Sequence, residues 1–323
     1  MSNQPTEQQL TAAPNPPYTS IKAIYNGTSL AEKRKSERMI SMQERAIAAI
    51  VYDFDKTLSP ANMQEYAFIP GIGMSSDEFW AKCSMAEKKH GMDSILAYMW
   101  IMTLEAQGKM LITRDVFKSQ GQKVGLFPGV EDWFGRLNSY AESKCVVLEH
   151  YIISSGLKEI IEGTSIAGEF KKIFAAEFSY NQSNVPVWPA MAVNYTSKTQ
   201  FLFRINKNEL DVTQHDKLNE FVPDSERRIP FSNMVYIGDG PTDIPCMKLV
   251  KVNGGHSIAV YQGDKKGTAD KMLRDGRVDF VLPADYRKGY PLERAAMLIM
   301  DKIAAHHQTL SMHKEHRKNA AID

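Results

Sequence analysis

The amino-acid sequence predicts an α/β fold with a doubly wound parallel sheet and a small, mostly helical domain inserted into it. A charge-free run rich in Ile and Ala at 46–52 is typical of a buried parallel strand. Beyond residue 128, further apolar runs alternate with segments that have helical spacing. Residues 61–127, which separate these two regions, contain helix-forming segments but no comparable β-branched run.

The N-terminal part of the chain precedes the first predicted strand. Residues 1–28 are polar and contain several prolines, which indicates a flexible leader. Residues 29–46 have helix-forming composition and a dense charge run, which we interpret as a solvated helix rather than a nucleic-acid-binding patch. We assign 29–60 and 128–323 to the α/β core and 61–127 to the insertion.

The remaining elements follow in order along the chain. The insertion contains two helical stretches, SSDEFWAKCSMAEKKH and DSILAYMWIMTLEAQ, with glycines between the segments. A helix is predicted after Pro128 because apolar residues recur there at helical spacing. Another is predicted over 291–312. The apolar runs that we predict to be strands are HYIISSG, KKIFAAEF, NMVYIGDG, HSIAVY and VDFVLP.

Composition narrows the possible classes of protein. The chain has 323 residues and a formal net charge of +1, which gives no indication of a nucleic-acid or membrane partner. It contains no apolar run of membrane-spanning length and no signal-peptide pattern at its start. The three cysteines are widely separated, which favours free thiols in a reducing, cytoplasmic environment. The oligomeric state stays undefined.

Polar and reactive side chains follow three of the predicted strands. Asp53 and Asp55 end the first, Ser154, Ser155 and Gly156 end the second, and Asp239 and Asp243 follow the third. In a parallel sheet, the carboxyl ends of neighbouring strands meet at one edge, where ligands bind. So many carboxylates need compensation, and a divalent cation with oxygen ligands, typically Mg²⁺, would supply it. Lys198 is a candidate for additional positive charge.

These motifs resemble those of the haloacid dehalogenase superfamily. DFDKTL is similar to its first motif, YIISSG to the second, Lys198 in NYTSKTQFLF to the third and IGDGPTD to the fourth. Ser155 follows Asp53 by 102 residues, Lys198 follows Ser155 by 43, and Asp239 follows Lys198 by 41. The resemblance covers about residues 46–285 and implies a Rossmann-like core.

The resemblance implies a role for each motif residue. Asp53 would attack phosphorus to give an aspartyl-phosphate, and Asp55 would protonate the leaving alcohol and later activate water. Members with this second aspartate are phosphatases and phosphotransferases, whereas dehalogenases lack it. Lys198 would neutralise charge on Asp53 and on the transferring group.

The same resemblance implies the binding residues. Phosphate oxygens would be held by Ser155, Gly156, Lys198 and Thr57, with Ser154 as an alternative to Ser155. Mg²⁺ would be held by Asp53, the backbone carbonyl of Asp55, and Asp239, with Asp243 at the site or contacting metal-bound water.

Several departures from the phosphoserine phosphatase-like branch put phosphoserine itself in doubt. Leu157 follows Gly156 where that branch has a second glycine, and the fourth motif reads GDGPTD where GDGxND is common. We therefore predict hydrolysis of a small phosphorylated metabolite, with a phosphotransferase or protein phosphatase as the alternative. A P-type ATPase, suggested by Asp55-Lys56-Thr57, is disfavoured because Leu58 breaks the match.

The insertion at 61–127 has the position of a cap domain, which in this superfamily closes over the active site and selects the substrate. Gln64 and Glu65 could reach a substrate, although the sequence favours exposed polar surface for both. The cluster around Tyr98 and Trp100 is interpreted as core of the insertion.

Overall fold

The computed structural model describes residues 45–263 and 265–320. The predicted leader at 1–28 and all but the last two residues of the predicted helix at 29–46 lie outside this part. Seven strands form one sheet: β1 (Ala46–Tyr52), β2 (Val146–Leu157), β3 (Lys172–Tyr180), β4 (Pro186–Met191), β5 (Met234–Gly238), β6 (His256–Tyr261) and β7 (Phe280–Pro283). Their order is β4-β3-β2-β1-β5-β6-β7. Every neighbouring pair is parallel except β3 and β4.

The central strand β1 shows why the sheet has helices on both faces. It pairs with β2 on one side and β5 on the other. Ala48, Ile50 and Tyr52 pack in one apolar cluster, whereas Ala49 and Val51 pack in a second. This alternation follows from the two-residue period of a strand, and both faces are therefore buried.

Eleven α-helices of the described residues accompany the sheet: α1 (Phe68–Gly71), α2 (Ser76–His90), α3 (Ser94–Ala106), α4 (Arg114–Gly121), α5 (Val130–Ser143), α6 (Lys158–Glu162), α7 (Lys198–Lys207), α8 (His215–Asn219), α9 (Ile244–Val252), α10 (Lys266–Arg274) and α11 (Pro291–Asn319). Helices α5 and α11 pack in the first cluster, and α7, α9 and α10 pack in the second. The predicted α/β fold class is confirmed.

Strand β4 is absent from the prediction, and its composition explains why. Pro186 and Pro189 lie within it, and proline cannot donate to a sheet ladder. The structure accommodates both prolines because β4 is an edge strand, paired antiparallel with β3 alone. Trp188, on the same strand, is 72% exposed.

The chain between β1 and β2 is helical, as predicted. Ser75 caps α2 in a capping box with Glu78, and Gly91 ends the helix in the left-handed region with φ 59°. Phe68 and Phe79 of this region belong to the same apolar cluster as β1. Tyr98 is buried in this cluster, but Trp100 is 38% exposed, which corrects its interpretation as core. The boundaries 61 and 127 stay a prediction.

No helix among the described residues is long and apolar enough to cross a membrane.

A buried polar network joins β1, β2 and α5. Trp133 Nε1 donates to the Tyr52 hydroxyl at 2.8 Å, and that hydroxyl donates to His150 Nδ1 at 3.0 Å. His150 Nε2 then donates to Asn138 Oδ1 at 2.9 Å. In this arrangement the imidazole is neutral, and burial lowers the pKa of His150 to about 3.

We expect this histidine to make the protein less stable in acid. Its folded-state pKa lies below the ordinary value near 6.5, so the unfolded chain takes up the proton first as the pH falls. Between pH 7 and pH 5, the free energy of unfolding should fall by about 2 kcal/mol more than in His150→Gln. Urea titrations of both proteins measure this difference, in which the titration of other groups cancels. Equal pH dependence in the two proteins would contradict the prediction.

Candidate active site

The carboxyl ends of β2, β1 and β5 lie side by side in the sheet and bring three of the predicted motifs together. The backbone N–H of Asp53 donates to Ile237 O at 2.9 Å, which extends the β1–β5 ladder by one residue. Phe54 N–H then donates to Asp53 Oδ1 at 2.7 Å and orients the carboxylate. The Phe54 side chain itself is fully buried in the core.

Lys198 lies between two carboxylates. Its Nζ is 3.1 Å from Asp53 Oδ2 and 2.8 Å from Asp243 Oδ1, and its side chain is fully buried. Tyr236 on β5, a residue not predicted from the sequence, donates its hydroxyl to Asp243 Oδ1 at 2.8 Å. The only sequence signal that could have indicated Tyr236 is its place in the apolar run NMVYIGDG, three residues before Asp239. Gly238 leaves room for Asp243, because a Cβ there would lie 2.4 Å from Asp243 Oδ2.

The site carries more negative charge than its lysine offsets. Burial raises the pKa of Asp53 to about 6, with Lys198 opposing the shift and Asp243 adding to it. Burial, together with repulsion from Asp243 and Asp53, raises the pKa of Asp239 to about 7. Burial lowers the pKa of Lys198, but the carboxylates of Asp243 and Asp53 outweigh it, so its pKa is raised. The lysine is therefore charged, and the carboxylates around it still lack compensation.

This donor set fits a divalent cation. Asp53, Asp239 and Asp243 each offer a carboxylate oxygen, and these atoms all lie within 4.8 Å of one another. Oxygen ligands of this kind suit Mg²⁺. Asp243 already accepts from Lys198 and Tyr236, which leaves it less free than Asp239. The Asp55 side chain does not belong to this group of carboxylates.

Asp55 instead contacts the first residues of the insertion. Its Oδ1 accepts from Met63 N–H at 2.8 Å. The turn that follows is tight: Lys56 adopts a left-handed φ of 60°, and the N–H groups of residues 57–59 all donate to Phe54 O. Burial and repulsion from Asp53 hold the pKa of Asp55 well above its usual range. This environment favours the protonated form of Asp55.

The second motif approaches Asp55 closely. A Cβ on Gly156 would lie 2.0 Å from Met63 Cε and 3.0 Å from Asp55 Oδ2, so a larger residue would displace both. Ser154 is fully buried and its Oγ accepts from Gly156 N–H at 3.0 Å. Ser155 is half-buried, lines a cavity together with Asp55, and donates from Oγ to Val193 O at 2.7 Å. Of the two serines, only Ser155 therefore borders the cavity.

Thr57 lies two residues after Asp55 in the chain. It is fully buried, and its hydroxyl has no hydrogen-bond partner among the described residues. Its backbone carbonyl accepts from the Tyr286 hydroxyl at 2.8 Å.

The cavity beside Asp55 has a volume of about 270 Å³ and reaches the helices α2 and α3. Gln64 lines it and is only 1% exposed, so the expectation of an exposed polar residue is wrong for Gln64. Glu65 is half-buried and accepts from Trp80 Nε1 at 3.0 Å. Tyr98 also lines the cavity, and its hydroxyl donates to Ser155 O at 2.8 Å. The fold alone brings these residues together, since no spacing pattern links them.

The chain is similar in sequence to one curated protein and in fold to several solved structures. An uncharacterized protein of Borreliella burgdorferi (strain ATCC 35210 / DSM 4680 / CIP 102532 / B31) is 31% identical over 292 residues, which is 81% of this chain and 99% of that protein. The structure is similar to that of a haloacid dehalogenase family hydrolase from Salmonella enterica subsp. enterica serovar Typhi, with TM-score 0.50, 17% identity and coverage of 84% of this chain and 81% of the other. It is also similar to a substrate-bound phosphoserine phosphatase, with TM-score 0.50, 14% identity and coverage of 76% and 97%.

A family model decides the assignment. The model of haloacid dehalogenase-like hydrolases matches residues 50–248, which span the first to the fourth predicted motif. The resemblance inferred from the motifs is thereby confirmed, as is the prediction that the protein is a hydrolytic enzyme of this superfamily. The chain belongs to the haloacid dehalogenase-like hydrolase family.

Proposed function

We propose that this protein hydrolyses a small phosphate monoester through an aspartyl-phosphate on Asp53. The observation that carries the proposal is the position of Asp53 at the end of β1. There the carboxylate is oriented by Phe54 N–H and held beside the buried ammonium of Lys198. An anionic oxygen in such a polar, preorganised setting is suited to attack phosphorus.

The reaction would proceed in two steps. An Asp53 oxygen forms a bond to phosphorus while the bond from phosphorus to the substrate oxygen breaks, and the Asp55 carboxyl delivers its proton to that departing oxygen. Asp55, now a carboxylate, removes a proton from water, which attacks the phosphorus of the aspartyl-phosphate. Inorganic phosphate leaves, and both carboxyl groups return to their starting state. The raised pKa of Asp55 supports its role as the proton donor.

Phosphate oxygens would be bound by Ser155, Gly156, Lys198 and Thr57. Ser155 Oγ would turn from Val193 O towards the phosphate. The buried hydroxyl of Thr57, which has no partner among the described residues, could donate to a phosphate oxygen. Lys198 would counter charge on Asp53 and on the transferring phosphoryl group.

Asp53, Asp239 and Asp243, together with the backbone carbonyl of Asp55, would hold Mg²⁺. A bound divalent cation would neutralise these carboxylates and polarise the phosphoryl oxygens. Residues 61–127 would act as the cap over a core formed by 29–60 and 128–323. The cavity volume of about 270 Å³ favours a small leaving group over a phosphoprotein. The cytoplasmic location stays a prediction from the sequence.

We expect phosphate release from p-nitrophenyl phosphate in the presence of Mg²⁺, and we expect EDTA to abolish it. The reason is that the clustered carboxylates would repel the phosphate dianion without a cation. Colorimetric assays before and after chelation, followed by excess Mg²⁺, measure both the loss and the recovery. Full activity in EDTA would contradict the metal requirement. No release from any small phosphate monoester in Mg²⁺ would contradict the proposed function.

A further inference from the structure

If the proposed function holds, the residues that line the cavity beside Asp55 indicate the chemical class of the leaving group. The cavity extends from Asp55, Ser155 and Gly156 towards α2 and α3, so the part furthest from the phosphate would contain the alcohol. Among the described residues, the only acidic side chains that line it are Asp55 and, at its exposed rim, Glu87. No Lys, Arg or His of the described residues lines it. A substrate carboxylate would therefore find no cationic partner.

The hydrogen-bond donors of the two aromatic residues that line the cavity already have acceptors within the protein. Trp80 Nε1 donates to Glu65 Oε1 at 3.0 Å, and the Tyr98 hydroxyl donates to Ser155 O at 2.8 Å. The two ring centroids are 6.3 Å apart, at an interplanar angle of 69°. With these donors engaged, the rings offer a ligand their π systems, which attract cations. Glu65 adds negative charge behind Trp80.

The N-terminus of α3 also borders the cavity, through Ser94 and Ile95, but it does not provide an anion site. Asp93 caps this helix, and its Oδ1 accepts from the N–H groups of Ile95 at 2.9 Å and Leu96 at 3.4 Å. The positive end of the helix is thus already neutralised by a carboxylate.

Gln64 provides an independent indication. It lines the cavity, it is 1% exposed, and its Oε1 has no hydrogen-bond partner among the described residues. A buried acceptor without a donor is unfavourable, so a ligand that brings an N–H group would be stabilised there. A carboxylate only accepts hydrogen bonds and would leave this oxygen unsatisfied.

We propose that the substrate is the phosphate ester of a small amino alcohol that carries a primary ammonium group and no carboxylate. Its ammonium would donate to Gln64 and lie near the rings of Trp80 and Tyr98, with Glu87 adding electrostatic attraction from the rim. The absence of a lining cation distinguishes this class from phosphoserine, which carries a carboxylate as well.

The test compares kcat/KM for three esters of similar size: O-phosphoethanolamine, O-phosphoserine and n-propyl phosphate. We expect phosphoethanolamine to exceed each of the others by about tenfold or more, because a desolvated ammonium gains both a hydrogen bond and cation–π contact. Gln64→Leu should lower the ratio of phosphoethanolamine to n-propyl phosphate by about tenfold. Glu87→Gln should lower it by about threefold, since this carboxylate is exposed.

Asp77→Asn is the matched control, because Asp77 is an exposed acid on the same helix as Glu87 and does not line the cavity. It should leave the ratio unchanged. Metal-dependent hydrolysis of all three esters without a preference, or with a preference for phosphoserine or n-propyl phosphate, would overturn the substrate class while leaving the proposed function intact. Failure to hydrolyse any ester would overturn the proposed function, and this inference with it.

Discussion

Asp53→Asn is expected to lower kcat for phosphate release by about 10⁴-fold or more, because an amide cannot serve as the nucleophile. The substitution nearly preserves shape, and the amide oxygen can still accept from Phe54 N–H, so the fold should be maintained. Colorimetric phosphate assays in Mg²⁺ measure the loss for aryl and alkyl esters alike. Acid quenching during turnover, followed by mass spectrometry, should locate a phosphoryl group on Asp53 in the unaltered protein.

Asp55→Asn is the comparison that distinguishes the role of Asp55 from that of Asp53. Loss of a general acid should lower turnover of an alkyl phosphate by about 10²- to 10⁴-fold. The rate of the first step with p-nitrophenyl phosphate should fall much less, because nitrophenolate leaves without a proton. Retained activity in Asp53→Asn, or a phosphoryl group found on Asp55, would contradict the assignment of Asp53 as the nucleophile.

The parts of the site that could be predicted from sequence are those encoded by short-range patterns. The run at 46–52 ends directly at Asp53, and the structure ends β1 at Tyr52. Because parallel strands share one carboxyl edge, the end of each apolar run also indicated where Ser155 and Asp239 would lie. These inferences need only local periodicity and one rule of sheet geometry.

The choice of Lys198 over other lysines could not be made from such patterns. Lys171 and Lys207 also lie between the second and fourth predicted motifs. In the structure, Lys171 Nζ pairs with Glu149, and Lys207 Nζ donates to the carbonyls of Leu218 and Glu220. Only Lys198 of these three contacts Asp53. Which lysine is buried depends on the packing of α7 against the sheet, and the motif order provided the indication that composition lacked.

The cavity beyond Asp55 was the least predictable part. Gln64, Trp80 and Tyr98 come from three separate elements, and their convergence depends on how α2 and α3 pack over the strand ends. A polar residue such as Gln64 is exposed in most proteins, so composition favoured the wrong environment. The proposed substrate preference thus depends on tertiary contacts, which local sequence patterns describe least well.

Lys198→Met should be the most destabilising single change at the site, and it should also abolish activity. It leaves Asp53 and Asp243 close together without their cation, in a place where both side chains are almost fully buried. Removing one partner of a buried ion pair costs about 3–5 kcal/mol. Urea unfolding in EDTA measures this cost without a metal ion that could offset it.

Lys82→Met provides the matched control, since Lys82 pairs with Glu105 at 2.5 Å but is 42% exposed. Its cost should be about 1 kcal/mol or less, because solvent screens an exposed pair. The double variant Lys198→Met with Asp243→Asn should be less destabilised than the sum of the two single changes, since each removes the charge that the other leaves unpaired. If Lys198→Met unfolds at the same urea concentration as Lys82→Met, the charge of Lys198 does not stabilise the buried carboxylates in the folded state, and the prediction is wrong.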